Sequence, residues 1–134
     1  MGAWGTGVYE NDDALDWTHG LEEHGFSAIV SAFARVASGE CLECPCVGRA
    51  LAAADVVARM RNGDEPESGD AGTASSWAAA HRNDDWTPLV GPAIAVLDRI
   101  ARPEDNENYE LWAETDELEA WLAAVAEVRA RLVA

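Results

Sequence analysis

The chain has 134 residues, 49% of them hydrophobic, with 25 acidic against nine basic side chains and a formal net charge of −16. That length suits one domain, 1–134, whose core needs neither metal nor disulfide, because a chain of this size buries about two-thirds of its unfolded surface. The acidic excess opposes binding to nucleic-acid phosphates or to a membrane of anionic lipid, and makes a basic protein the partner that electrostatic steering favours.

Twenty-six residues are alanine, the strongest helix former, and the modest number of valines and isoleucines fall mostly at helical spacing, which points to an all-α fold. All nine basic residues are arginine, a usage that fits a GC-rich bacterial genome. No run of about 20 apolar residues is present and no charged leader precedes an apolar stretch, so the expected location is cytoplasmic. Three cysteines, Cys41, Cys44 and Cys46, crowd into six residues; their odd number and tight spacing argue against a disulfide framework.

The chain opens on an aromatic–glycine segment, where Gly5-Thr6-Gly7 is expected to turn and tuck Trp4 under the body. Asn11 follows as the N-cap of a first helix, with Asp12 and Asp13 in its first turn, where the helix dipole rewards negative charge. Ala14, Leu15, Trp17, Thr18 and Leu21 form the apolar face of this helix, which Gly25 ends. A second helix carries Phe26, Ile29, Val30, Phe33, Val36 and Ala37. Residues 41–46 read as a loop because Pro45 biases Cys44 away from helix. A third helix, from about Val47 to Arg61, buries Ala50, Leu51, Ala54, Val57 and Ala58. Residues 63–74, polar, acidic and glycine-rich, read as a flexible loop, followed by a short helix from Ser76 to His81 anchored by Trp77. Thr87-Pro88 starts a fourth helix with Leu89, Val90, Ala93, Ile94, Leu97, Ile100 and Ala101 on one face, stopped at Pro103. A fifth opens near Asp105-Asn106 and is expected to run unbroken to Leu132, its stripe (Leu111, Thr115, Leu118, Leu122, Val125, Leu132) holding one phase. Thr115-Asp116-x-x-Glu119, which has the form of a capping box, is the competing sign. The sum is a compact, irregular all-α bundle of about five helices with a packed N-terminal aromatic–glycine segment.

Met1-Gly2-Ala3-Trp4-Gly5 and Glu10-Asn11-Asp12-Asp13-Ala14-Leu15-Asp16-Trp17 together resemble the opening of a family of small bacterial proteins, domain of unknown function 4259. The stretch Arg49–Ala58 and the triplet Glu110-Leu111-Trp112 are similar to the same family. The resemblance covers nearly the whole chain and is weakest over 62–86. It implies no activity. Relatives carry a Tyr-Leu-Glu run followed by small or acidic residues where this chain has Glu40-Cys41-Leu42-Glu43-Cys44-Pro45-Cys46, so the cysteines are not a family feature.

Three groups of residues compete for a functional role. Cys41 and Cys44 have the C-x-x-C spacing of a zinc site, with His24 or His81 as a further ligand, but a second such pair is missing and Pro45 strains ligation by Cys46. Asp12, Asp16, His19 and Glu23 line one stripe of the first helix. The Asp16–His19 spacing is that of metal-bearing bundles, although no second pair answers it. No serine sits in a nucleophile elbow and no glycine motif cradles phosphate. Of the six tryptophans, core packing accounts for most, and one or two at a rim would suit a partner interface. Trp4, Gly5, Asn11, Asp12, Asp13, Trp17 and Trp112 form the motif set, expected first as a structural lock and second as a binding surface. No cofactor is expected. The leading expectation is a non-catalytic interaction protein for a basic partner; the alternative is a metal-dependent hydrolase built on Asp12, Asp16 and His19.

Overall fold

The stretch Ala50–Met60 has apolar residues on every side of a helix, and such a helix has no solvent face to offer. In the computed structural model, which describes residues 5–133, it forms the middle of α3 (Cys44–Asn62), and all eleven of its residues are buried. The other helices stand around it: α1 (Asp12–His24), α2 (Phe26–Ala37), α4 (Gly72–His81), α5 (Val90–Ile100), α6 (Glu107–Ala113) and α7 (Leu118–Val133) all touch α3. Its many alanines let these neighbours approach closely, and one continuous apolar cluster runs through all of them. Among the described residues there is no strand, and no helix is long and apolar enough to cross a membrane.

Local chemistry explains where α1 and α3 start. Asn11 caps α1 by accepting from the Ala14 N–H at 2.8 Å, and Gly25, at φ 60°, closes it. Trp17 is buried and its indole N–H reaches the Ala28 carbonyl at 3.4 Å, so it joins α1 to α2. In α2 the buried stripe is Ile29, Ala32, Phe33 and Val36, while Val30 is 52% exposed, because it faces away from α1, α3 and α5. Pro45 does not hold residues 41–46 out of helix as expected. It sits in the first turn of α3, where a missing N–H costs no helical bond. The acidic stretch after Gly63 is loop only as far as Ser68; a 3₁₀ turn (Gly69–Ala71) then leads into α4, which starts four residues before the expected Ser76. Ser75 ties that loop down by accepting from the Glu67 N–H at 2.8 Å. A second 3₁₀ turn, Thr87–Leu89, precedes α5.

The described residues hold seven α-helices rather than about five. The main correction is the expected unbroken helix to Leu132, which is two helices. Thr115 makes the break: its N–H and hydroxyl both donate to the Trp112 carbonyl, at 3.0 and 2.7 Å, and its oxygen accepts from the Glu117 N–H at 3.0 Å. Such local bonding competes with the helical ladder. The bend lets α7 lie along α3 and α5, and it brings Trp112 and Trp121 together with near-parallel rings, 6.4 Å between centroids. The expectation that Trp4 tucks under the body concerns a residue outside the described range. Glycine at 5 and 7 lets the Glu10 side chain fold back over this turn, and Gly7 has no unusual backbone. A Cβ at either position would stand 2.5 Å from the Glu10 carboxylate, which accepts from the Gly7 N–H at 2.9 Å.

Inside this frame α3 carries one acid, Asp55, which is 1% exposed. The Tyr9 hydroxyl donates to its Oδ2 at 2.7 Å, Arg59 Nε donates to the same oxygen at 2.7 Å, and Arg131 of α7 bonds Oδ1. Arg59 also pairs with Glu67 and lies over the Tyr9 ring, and Arg131 reaches Glu127 and Asp64. Burial pushes the Tyr9 phenol well above its ordinary value, and the Asp55 charge adds to the effect. A second buried connector is Asn106, 1% exposed: its Nδ2 donates to the carbonyls of Ile100 and Arg102, each at 2.9 Å, and its Oδ1 accepts from the Tyr109 N–H at 2.9 Å. It ends α5 and starts α6 with one side chain.

Asp55→Ala leaves two arginines without their buried counter-charge, and urea unfolding should show a loss of about 3–5 kcal/mol. Asn106→Ala removes a cap and orphans two carbonyls, for a loss of about 2–4 kcal/mol in the same assay. Because the folded-state pKa of Tyr9 is raised, its contribution is complete below the ordinary phenol value of about 10 and is lost as pH rises through the folded-state value. Tyr9→Phe should therefore cost about 1 kcal/mol at neutral pH, and its stability should fall less steeply than the parent's in alkaline titration.

Candidate functional site

The start of α3 is different from its buried middle. Residues 43–48 supply a glutamate, a thiol, a proline and a glycine, and α1 and α6 begin beside them. Gly48 lets α1 come close, since a Cβ there would meet the Asn11 cap oxygen at 3.1 Å. The Asn108 N–H donates to the Leu42 carbonyl at 3.0 Å, which fastens α6 to the segment before α3. Between these helix starts lies a pocket of about 320 Å³. Apart from Asn108 its buried lining is apolar: Val47, Leu51, Trp112 and Trp121, with Leu111 half-buried. Three carboxylates, Asp13, Glu43 and Glu107, stand toward its exposed side, and among the described residues no arginine or histidine lines it.

Helix dipoles explain part of this charge. Asp13 and Glu107 occupy the first turns of α1 and α6, where an acid is favoured in any helix. Glu43 stands at the N-cap position of α3, where the dipole favours an acid too, although its side chain makes no capping bond. Asn108 is also notable. It is 4% exposed, lines the pocket, and its Nδ2 has no acceptor within the protein. Such a group costs about 1–3 kcal/mol unless something else meets it.

Cys44 is the free thiol of the three cysteines and half-lines this pocket; Cys41 and Cys46 form a disulfide with a Cα–Cα separation of 6.0 Å. The reading of the odd count and tight spacing against a disulfide framework is thus corrected, because the first turn of α3 brings Cys46 back to Cys41. Two of the three expected zinc-site sulfurs are thereby used. Burial pushes the Cys44 thiol up, with the charges of Glu107 and Asp13 adding to the shift. It is protonated at neutral pH and a weak nucleophile.

The motif set separates in space. Gly5, Asn11, Asp13 and Trp112 meet at the pocket; Trp17 is between α1 and α2; Asp12 is exposed to solvent; Trp4 lies outside the described residues. Asp16 and His19 are exposed as well, the His19 side chain 76% so, with only Glu22 nearby at 3.9 Å. His24 and His81 are apart from the cysteines: His24 is exposed beside Glu23, and His81 stacks on Trp77 with centroids 4.1 Å apart. Among the described residues no group of three or more His, Cys, Asp or Glu stands close enough to hold an ion. Sequence reading missed Glu43, Glu107, Asn108 and Trp121 as partners in one site, and only Asn108 had a legible signal, an amide inside an otherwise acidic first turn.

Neutralising the pocket acids should lower the Cys44 pKa. Iodoacetamide is expected to alkylate Cys44 more slowly than a free cysteine at neutral pH, and faster in Asp13→Asn/Glu107→Gln, as mass spectrometry of the time course would show.

No curated protein and no solved structure matches the chain. A family model does, over residues 2–124: Domain of unknown function (DUF4259). The match takes in the opening motif, the start of α3 and the Trp112–Trp121 pair, which are the parts that build the pocket. The chain therefore belongs to the DUF4259 family.

Proposed function

We propose that this protein is a non-catalytic binding module that holds a basic segment of a partner protein at the mouth of the pocket between α1, α3 and α6. The observation that carries the reading is the trio Asp13, Glu43 and Glu107, none of them ion-paired with a described residue, above a tryptophan floor. Elsewhere the protein spends its arginines on its own acids: Arg59 and Arg131 on Asp55, Arg129 on Asp98, Arg35 on Glu40. The pocket acids receive none of these, so a basic ligand would meet negative charge that the fold leaves unanswered. A protonated thiol, and a lining without serine or histidine, favour binding over catalysis. Phosphate backbones and anionic lipid are poor partners for a chain of net charge −16. A disulfide is the form that an oxidising compartment maintains, so the Cys41–Cys46 bond weighs against the cytoplasmic location expected from the sequence.

Calorimetric titration with an unstructured basic peptide tests the reading. Binding should weaken by at least about tenfold between roughly 0.05 and 0.5 M salt, as screening of exposed charge requires. The triple variant Asp13→Asn/Glu43→Gln/Glu107→Gln should bind about tenfold more weakly at low salt. Equal affinity of parent and triple variant would remove the pocket from the proposal.

A further inference from the structure

Resting on that reading, we infer that the pocket takes the side chain of a single arginine of the partner, and that Asn108 Nδ2 receives a main-chain carbonyl next to it. Three separate features of the pocket select for this. The first is size: about 320 Å³ is at the small end of ligand pockets, enough for one long side chain and a few main-chain atoms. The second is the combination of floor and rim. Trp112 and Trp121 are near-parallel, 16° between planes, beneath carboxylates that come from three different helix starts. A guanidinium is planar, weakly hydrated and stacks on indole faces, and its five donors reach several carboxylates at once. An ammonium is strongly hydrated and loses more on leaving water for such a floor.

The third feature is the unpaired amide. Neither guanidinium nor ammonium has an acceptor to give Asn108 Nδ2, whereas a peptide carbonyl does. A free metal ion or a simple polyamine would leave that donor unsatisfied. The amide therefore favours a peptide over a bare cation, and the tryptophan floor favours arginine over lysine within the peptide.

Three peptides of one sequence, carrying arginine, lysine or neutral citrulline at a single central position, separate the possibilities in calorimetric titrations. The arginine peptide is expected to bind about five- to tenfold more tightly than the lysine peptide, to quench tryptophan fluorescence, and to lose most of its affinity as citrulline. Asn108→Leu should weaken the arginine peptide about fivefold or more at a melting temperature no lower than the parent's, since it also removes an unpaired buried donor. Leu111→Arg, at a half-buried lining position, should block binding by filling the pocket from within, and it serves as the second test if Asn108→Leu does not fold. Equal binding of the arginine and lysine peptides, unaffected by either variant, would overturn the arginine site while leaving a general basic-partner role standing. No binding by any of the three would sink both.

Discussion

The structure depends on the complete burial of the middle of α3, Ala50–Met60. A helix surrounded on all sides must satisfy every polar group it carries without water, and α3 carries a carboxylate at Asp55. An isolated buried charge of this kind costs several kcal/mol, so its neighbours have to supply opposite charge and donors with good geometry. They come from three places in the chain: Tyr9 before α1, Arg59 one turn along α3, and Arg131 near the end of α7. Glu67 extends the network into the loop ahead of α4. The N-terminal segment, the central helix, an acidic loop and the last helix thus converge on one side chain. Each is placed by a bond that works only if the others are in position.

The two parts of α3 consequently have different characters. In its middle the residues are buried and the Asp55 charge is matched by Arg59 and Arg131. At its start, helix beginnings from α1, α3 and α6 collect carboxylates around an apolar floor, and a buried amide has no acceptor. Acids without an ion-pair partner are common on this surface; what marks the set near Glu43 is the apolar pocket and the buried amide without an acceptor beside it. Unmatched polar groups cost stability, and a binding site is the usual place where such a cost is offset by a ligand. The break at Thr115 belongs to the same arrangement, since an unbroken helix would not bring Trp112 and Trp121 together as the pocket floor.

Several parts of this protein were legible in its residues because they rest on local chemistry. The Asn11 cap, the Gly25 stop and the Asn106 helix start each need only a few neighbours to be specified, whereas Thr87-Pro88 opens a 3₁₀ turn and α5 begins only at Val90. Other features were not legible, for definite reasons. The stripe along Leu111–Leu132 holds its phase across the bend, so periodicity alone pointed to one helix. The run Ala50–Met60 shows residues suited to burial on all sides, yet a one-faced stripe can be drawn through it as well. Pro45 can end a loop or begin a helix, and which it does depends on what the first turn of α3 packs against.

The sequence by itself determined the all-α class, the family, the acidic balance and most helix ends, because propensity, caps and composition act over a few residues or over the chain as a whole. Only the tertiary structure decided that α3 is central, that Tyr9 and Arg131 answer Asp55 across 46 and 76 residues, and that Asp13, Glu43, Glu107 and Asn108 share one pocket. The physical reason is the same in each case. Burial, charge pairing and pocket shape are properties of groups brought together from distant positions, and no spacing along the chain records which groups those will be.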